Sequence, residues 1–218
     1  MRRAVACLCL LAGVGVLLWS GYRAWDPFAG ARQRSAQAAL AKSWGTPAAL
    51  PPVVARPTAP ALCVVPRQDI PVGQVFATIQ IPAFGPRWKF TVIQGTTLAQ
   101  LATGPGHILG TALPSQAGDA GIAAHDVTAG NAFLHLSSLK TGDTVVITTR
   151  ECVTTYRVYR QPYRVLYTDM AVLNPVGTKH TLTLVTCWPT EVLYFVTHRT
   201  IAQAAEISSV RRTSGPAR

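Results

Sequence analysis

The sequence predicts a mainly β domain behind an N-terminal membrane anchor, and three observations lead to that prediction. Hydrophobic residues make up 49% of the 218 residues and charged residues only 13%, so the chain can bury a core. An uncharged apolar segment lies near the N-terminus, and a run of prolines follows it. Beyond the prolines, short segments alternate apolar and polar side chains, which is typical of half-buried strands.

The first element is the uncharged apolar segment between Arg3 and Arg23. As a helix it would span about 28 Å at ~1.5 Å per residue, close to the ~30 Å hydrocarbon core of a bilayer. Trp19 and Tyr22 occupy the position of an aromatic belt. A cleaved signal peptide is the competing interpretation, because the Ala-rich sequence that follows leaves room for a cleavage site. We expect an uncleaved anchor over residues 1–24, with the rest of the chain exported.

The second element is an Ala- and Pro-rich stretch, which we predict to be a stalk over residues 25–71. Residues 31–44 are rich in Ala and Gln and predict a short, solvated helix. Seven prolines follow between Pro47 and Pro71, and such a run disfavours both helix and sheet. The predicted organisation is therefore an anchor, a stalk and a domain.

The third element is the domain itself, predicted over residues 72–210 and followed by a basic tail at 211–218. Two short helices are predicted at Thr97–Ala102 and Ala132–Leu139. Many short strands at near-even spacing over about 140 residues are typical of a sandwich or a small barrel. The strand pattern favours the barrel without deciding between the two. The predicted strands cover residues 76–81, 88–93, 143–149, 154–159, 164–167, 181–186 and 199–207.

The distribution of charge argues against a nucleic-acid-binding protein. The chain has 20 Lys and Arg against 9 Asp and Glu, a formal net charge of +11. The excess lies in the flanks, because residues 72–210 are close to neutral. A nucleic-acid-binding domain would concentrate its basic residues on the folded surface. Basic flanks beside an apolar segment instead suit an anionic membrane surface.

Three residues are candidates for chemistry. Cys187 ends an alternating strand and is followed by Trp-Pro, which breaks the strand and leaves the cysteine at its mouth. A strand end can hold a nucleophile both fixed and exposed. His125 lies at a strand-to-loop junction, and Arg199 opens the last strand. Taken singly, each has a structural interpretation, as a buried cysteine, a locally bonded histidine or a solvated edge residue.

Taken together, these residues resemble the signatures of a known family. Thr-Leu-Val-Thr-Cys at 183–187 resembles the Thr-Leu-x-Thr-Cys motif of sortases, the cysteine transpeptidases of Gram-positive cell surfaces. Ile-Ala-Ala-His at 122–125 is similar to the Ile-Ala-Gly-His motif of the family, with Ala124 in place of glycine. Arg199 matches the arginine that starts the last strand in sortases.

Further motifs extend the resemblance over about residues 75–206. Gly-Pro-Gly-His at 104–107 and Gly-Thr-Ala-Leu-Pro at 110–114 look most like the actinobacterial class E sortases. A Phe-x-x-Leu-x-x-Leu-x-x-Gly-Asp segment at 133–143 follows in the family's order. The resemblance implies a closed sortase-like β-barrel of about eight strands with one or two short helices.

The resemblance also implies a reaction and the roles of five residues. Cys187 would attack the Thr–Gly carbonyl of an LPXTG- or LAXTG-like sorting signal and form a thioester. His125 would be the general acid and base, and Arg199 would bind the substrate and stabilise the oxyanion. Thr186 and His107 would support the site or bind substrate, although His107 also has a structural interpretation. The acyl group would pass to an amine of a cell-wall precursor or a pilin.

The three residue types make coherent chemistry without the resemblance. A thiolate is the attacking form of cysteine, and a free thiol with a pKa of ~8.5 is mostly protonated at neutral pH. A nearby imidazolium or guanidinium group stabilises the thiolate. Asp126 stands where many sortases have arginine, and an acidic neighbour should favour the imidazolium form of His125.

The remaining cysteines and acidic residues predict no cofactor. Cys7 and Cys9 lie in the predicted anchor, Cys63 in the predicted stalk, and Cys152 is expected to be structural. The sequence leaves open a disulfide between Cys152 and Cys187, which would abolish thiolate chemistry. Neither a Cys-x-x-Cys nor a His-x-x-x-His arrangement occurs, and the acidic residues are scattered, so we predict no metal.

These expectations describe a single-pass protein of a bacterial cell membrane with its catalytic domain outside. The expected partners are secreted proteins that carry a sorting signal, an amine acceptor such as a lipid-linked peptidoglycan precursor or a pilin lysine, and membrane lipid. Nucleic acid is not expected. Two alternatives stay open: a Cys/His peptidase that hydrolyses its thioester, and a non-catalytic, membrane-anchored β-barrel that binds peptide or glycan.

Overall fold

The computed structural model describes residues 31–44, 63, 69–174, 179–188 and 196–212. The predicted anchor at residues 1–24, with Cys7 and Cys9, and most of the predicted basic tail lie outside these residues. Within the described part of the chain, no helix is long and apolar enough to cross a membrane.

The described residues form nine strands, two α-helices and three 3₁₀ turns. Helix α1 covers residues 31–44 and α2 covers Leu98–Leu101. The 3₁₀ turns are Pro82–Phe84, Leu136–Ser138 and Met170–Leu173. The strands are β1 Val75–Gln80, β2 Lys89–Gln94, β3 Gly106–His107, β4 Gly118–Ala123, β5 Thr144–Thr148, β6 Cys152–Val158, β7 Tyr163–Leu166, β8 His180–Trp188 and β9 His198–Arg211.

Eight of the strands close into a barrel. They are hydrogen-bonded in the order β6-β5-β1-β2-β3-β4-β8-β9, and a further pairing of β9 with β6 completes the ring. Strand β9 is 14 residues long, so it can pair with β8 along one edge and with both β6 and β7 along the other. The predicted mainly β, closed barrel of about eight strands is confirmed.

The interior of the barrel is filled by alternate residues of its strands. On β1, β5 and β8 the inward residues are aliphatic and almost wholly buried, while their neighbours face outward. Phe133 and Leu136, from the 3₁₀ segment after β4, are also fully buried in this core. Each of the larger side chains contributes about 1.5–3 kcal/mol of burial free energy. The inward residues of these three strands are Ala77, Ile79, Val145, Ile147, Leu182 and Leu184.

The helix predicted at Ala132–Leu139 is only partly present. It contains only the 3₁₀ turn Leu136–Ser138, because its buried residues Phe133, Leu136 and Leu139 recur every three positions, which is the 3₁₀ period. The other predicted helix, Thr97–Ala102, contains α2.

Helix α1 is not the solvated helix that the sequence predicts. Gln33 is buried, and its side-chain oxygen accepts hydrogen bonds from the Thr91 backbone N–H and hydroxyl, both at 3.0 Å. Its amide group donates to the Thr103 carbonyl. Gln37, one turn later, donates to the Lys89 carbonyl at 2.8 Å. The helix therefore binds the barrel at β2 through side-chain amides, which composition alone does not reveal.

A disulfide attaches a second part of the predicted stalk to the barrel. Cys63 is bonded to Cys152 at the start of β6, and both residues are buried. The Cys63 carbonyl also accepts a hydrogen bond from the Ser209 hydroxyl at 3.0 Å. The pairing of Cys152 with Cys187, which the sequence left open, does not occur, because Cys152 has another partner and Cys187 is free.

Candidate active site

The end of β8 presents the Cys187 thiol. Leu182 and Leu184 belong to the barrel core, so alternation directs Cys187 to the other face of the strand, where Thr183 is also buried. The thiol is free and half-buried, one residue before the strand ends at Trp188. The sequence-based placement of Cys187 at the mouth of its strand is thus what the structure shows.

Arg199 lies directly across from Cys187. The two residues are paired in the antiparallel register of β8 and β9, so their side chains share one face. The Arg199 Nη1 lies 3.7 Å from the Cys187 Sγ and 3.3 Å from the His198 carbonyl oxygen, to which it donates. A fixed cationic donor therefore contacts the thiol.

His125 reaches the same place from the other side of β8. Strands β4 and β8 are parallel, with Ala123 opposite Val185, and the Ala124 N–H continues the pairing by donating to the Val185 carbonyl at 3.1 Å. Extended by two positions, this register places His125 level with Cys187. His125, Cys187 and Arg199 thus come from the same end of three neighbouring strands, although they are far apart in the sequence.

Burial controls the ionisation of the thiol and the imidazole. Burial raises the pKa of Cys187 and Asp126 raises it further, while the Arg199 guanidinium acts in the opposite direction. Burial lowers the pKa of His125, and the Asp126 carboxylate opposes that change. The expectation that Asp126 favours the imidazolium is right for its own effect, but the net shift is downward because desolvation is larger. Both shifts favour the uncharged forms, a thiol and a neutral imidazole.

The two supporting candidates lie outside this group of three. Thr186 is buried on the inner face of β8, and its hydroxyl donates to the Ala124 carbonyl at 2.8 Å, which fixes the backbone just before His125. His107 is 2% exposed, and its ring contacts the Gln94 side chain at 2.9 Å and the Ala112 carbonyl at 2.8 Å. It sits opposite Ile122 on β4, so the structure does not bring it to Cys187.

Sequence reasoning missed a stack of side chains beside the thiol. The Arg164 guanidinium lies 4.2 Å from the centre of the Trp188 ring, and the His198 ring meets the same indole edge-on at 5.5 Å. The sequence pattern places Arg164 at the start of a predicted strand and does not predict its contact with Trp188. The tryptophan that directly follows Cys187 was the available signal, because a large ring at a strand end needs neighbours.

An exposed apolar surface flanks the same end of the barrel. Leu166 pairs with His198, and the Tyr167 N–H donates to the Thr197 carbonyl at 3.1 Å. Leu166, Tyr167 and Met170 are each more than half exposed. Apolar side chains left in solvent beside a free thiol suit the binding of an extended peptide with apolar residues.

The arrangement can perform covalent thiol chemistry. It combines a nucleophile, an acid–base group and a cationic donor within one outward-facing cluster. Among the described residues, no three His, Cys, Asp or Glu side chains come together in a group that could hold a metal ion.

Comparison with known proteins gives one consistent result. The Sortase domain family matches residues 79–207, which contain every residue of the cluster. The chain is 33% identical to sortase E from Streptomyces avermitilis, with a TM-score of 0.59 over 65% of this chain and 93% of that one. A comparison with curated proteins gives no match.

Two further solved structures have the same fold. The lid mutant of sortase A from Corynebacterium diphtheriae is 30% identical, with a TM-score of 0.56 over 62% of this chain and 71% of that one. Sortase C from Clostridium perfringens, solved with the C-terminal cell wall sorting motif, is 26% identical, with a TM-score of 0.57 over 64% and 74% of the two chains.

Proposed function

The chain belongs to the sortase family of cysteine transpeptidases, and from this premise we propose a specific reaction, site and location for it. It cleaves an LPXTG- or LAXTG-like sorting signal between Thr and Gly and transfers the acyl group to an amine. The observation that carries the proposal is the contact of Arg199 Nη1 with Cys187 Sγ at 3.7 Å, in a register that also brings His125 beside the thiol.

Acylation begins with the proton of Cys187 passing to His125. The thiolate then attacks the threonine carbonyl carbon and forms a tetrahedral oxyanion. As the C–N bond breaks, the His125 imidazolium gives its proton to the departing glycine nitrogen. The products are a thioester on Cys187 and a free amine, and the imidazole is again neutral.

Deacylation reverses the proton transfers with a new nucleophile. The acceptor amine attacks the thioester carbonyl, His125 takes its proton, and the C–S bond breaks. The sulfur leaves with a proton from the imidazolium, which restores the thiol and the neutral imidazole. An amide bond to the acceptor replaces the amide bond of the sorting signal.

Arg199 has two roles in this scheme. Its guanidinium stabilises the thiolate before attack, which the 3.7 Å contact supports. It also donates to the oxyanion that develops on the threonine carbonyl, a contribution worth a few kcal/mol in a shielded site. A forked donor can serve the sulfur and the oxyanion in turn without moving far.

The apolar surface beside the thiol supports a peptide substrate. Leu166, Tyr167 and Met170 would pack against the apolar residue that starts an LPXTG-like signal. The sorting motif bound to sortase C from C. perfringens supports the same class of substrate here. The proposed acceptor is an amine of a lipid-linked cell-wall precursor or a pilin, and the N-terminal apolar segment would hold the enzyme at the outer face of the cell membrane, where both substrates are found.

The test follows the covalent mass of the protein. The full-length chain is incubated with a panel of Leu-x-x-Thr-Gly peptides, with and without an amine acceptor. We expect a thioester on Cys187 that resolves to an amide product, and no adduct with Cys187→Ala. Cutting the chain at residue 72 would remove α1 and leave Cys152 without its partner, so the shortened domain is the poorer reagent.

Two outcomes would favour the alternatives. Hydrolysis of the thioester with no amide product at any acceptor concentration indicates a Cys/His peptidase. A folded protein with a free Cys187 thiol that forms no adduct with any peptide, and whose thiol does not react with alkylating reagents, indicates a binding module.

A further inference from the structure

Asp126, the residue directly after His125, is an unusual carboxylate. Its side chain is 4% exposed, and Oδ1 accepts a hydrogen bond from the Val127 N–H at 2.8 Å. Among the described residues, Oδ2 has no hydrogen-bond partner. A buried carboxylate oxygen without a donor is costly, so a residue of this kind usually persists for a reason other than stability.

The groups that face this carboxylate belong to the proposed catalytic site. His125 precedes it in the chain, Arg199 faces it from β9, and both interact with it electrostatically. Cys187 on β8 experiences the charge of Asp126 as well. The Arg199 Nη1 is directed at Cys187 Sγ and the His198 carbonyl, and no ion pair joins Arg199 to Asp126 within the described residues. Asp126 therefore acts on the site at a distance, without neutralising Arg199 by direct contact.

Resting on the proposed function, we propose that Asp126 is a positioning residue whose negative charge offsets that of Arg199 beside Cys187 and favours the protonated form of His125, and so sets the pH range of the thiol chemistry. A negative charge here disfavours the thiolate and favours the imidazolium. Burial raises the Asp126 pKa, while hydrogen bonds from the Asp126 and Val127 backbone, and then His125 and Arg199, act in the opposite direction. The carboxylate raises the pKa values of both Cys187 and His125. It therefore shifts the pH range of activity upward without narrowing that range.

Asp126 departs from the pattern of the sortase family, and the departure changes the charge beside Cys187. Many sortases have arginine at this position, which would place a further cation beside the thiol. In this chain the sign is reversed, so the field at Cys187 is less positive than the motifs alone imply. The thiol is accordingly less ionised at neutral pH than in a site with arginine there.

The test measures thiol reactivity in the full-length chain. Iodoacetamide alkylation is followed from pH 5 to pH 10 by mass spectrometry of the proteolytic peptide that contains Cys187, so that Cys7 and Cys9 do not contribute. In Asp126→Asn the amide oxygen can still accept from the Val127 N–H, but the charge is gone. We expect the midpoint to move to lower pH and the rate at pH 7 to rise several-fold. The pH profile of acyl transfer should move in the same direction.

The matched control is Asp119→Asn. Asp119 is also 4% exposed and also has an unpartnered Oδ2 among the described residues, but it lies on β4 opposite Thr181, far from Cys187. If the loss of any buried carboxylate were enough, both variants would shift the midpoint of alkylation. If the charge must lie beside Cys187, only Asp126→Asn shifts it. We expect the control to keep the wild-type midpoint.

An unchanged or higher midpoint in Asp126→Asn, or an equal shift in Asp119→Asn, would overturn the proposal. Asp126→Ser, which keeps a short acceptor for the Val127 N–H, replaces the asparagine variant if that variant does not fold. Alkylation does not require acyl transfer, so the two proposals fail separately. A shifted midpoint with no acyl-enzyme in the wild type would contradict the transpeptidase function and leave the charge role standing.

Discussion

The two ends of β9 pair with two cysteines, one free and one in a disulfide. At the start of β9, Arg199 faces the free, half-buried Cys187, and at its end Arg211 pairs with Cys152, which is wholly buried and joined to Cys63. The two cysteines are separated by about 40 Å of strand at ~3.3 Å per residue, far beyond the reach of a disulfide. The same residue type is a free thiol at one end and cross-linked at the other because its neighbours differ.

Other contacts also differ between the two regions. Helix α1 satisfies backbone groups of β2, and Arg212, next to the end of β9, stacks over its Trp44 at 5.0 Å. Close to His125 in the chain, Asp126 keeps an unpaired buried oxygen and Ala129 adopts a φ of 52°, a conformation that side chains disfavour. Such features are not confined to that region, because among the described residues Asp119 also has an unpartnered buried oxygen and Ser115 has a φ of 69°.

Of the changes that test the difference between the two ends, Arg199→Lys should have the largest effect. Lysine keeps the charge but loses the planar fork that can serve the sulfur and an oxyanion, so we expect kcat/KM for acyl transfer to fall by about 10²-fold. Steady-state transfer from a sorting peptide to an amine measures it. Arg211→Lys, at the other end of β9, is the control and should keep full activity. Near-normal turnover in Arg199→Lys would mean that only the charge matters.

Removal of the disulfide should lower the stability of the protein without lowering its activity. The double variant Cys63→Ser/Cys152→Ser loses a cross-link that spans 89 residues, and we expect it to lose about 2–4 kcal/mol of unfolding free energy. Denaturant unfolding with and without reductant measures the change, and reduced wild type should approach the variant. Acyl transfer by the folded variant should stay within about twofold of wild type. A large loss of activity at unchanged stability would show that the two ends are coupled.

The smallest effect should come from the glutamines of α1. Gln33→Ala leaves the buried Thr91 N–H and Thr103 carbonyl without partners, and we expect it to cost about 2 kcal/mol. Gln37→Ala removes one exposed hydrogen bond and should cost less than about 1 kcal/mol. Amide hydrogen exchange at Thr91 should quicken in the first variant alone. Equal costs in both variants would mean that α1 contributes by its presence and not through the buried amide.

Most of the barrel and the position of Cys187 were predictable because they depend on local signals. Alternation of apolar and polar residues predicts seven of the nine strands but not β3 or β4, and a proline after the strand end predicts an accessible Cys187. The sequence also indicates His125 and Arg199, but only because both match motifs of the sortase family. The parallel pairing of β4 with β8, which brings His125 to the thiol, has no local signal.

The features that were missed depend on long-range partners. Nothing near Gln33 predicts that its amide binds β2, because an Ala- and Gln-rich helix also suits solvent. Cys63 could not be paired from its position among prolines, since connectivity does not follow from spacing. The net pKa shift of His125 was missed because burial, which outweighs the neighbouring Asp126, is a property of the folded protein.

The cross-link between Cys63 and Cys152 also has a consequence for biosynthesis. A ribosome makes the chain from the N-terminus, so Cys152 emerges after Cys63 and well before Cys187. Of the cysteines outside the N-terminal apolar segment, Cys63 is then the sole partner available to Cys152. Chain order thus favours the native pairing during synthesis, because Cys187 is not yet present to compete for Cys152.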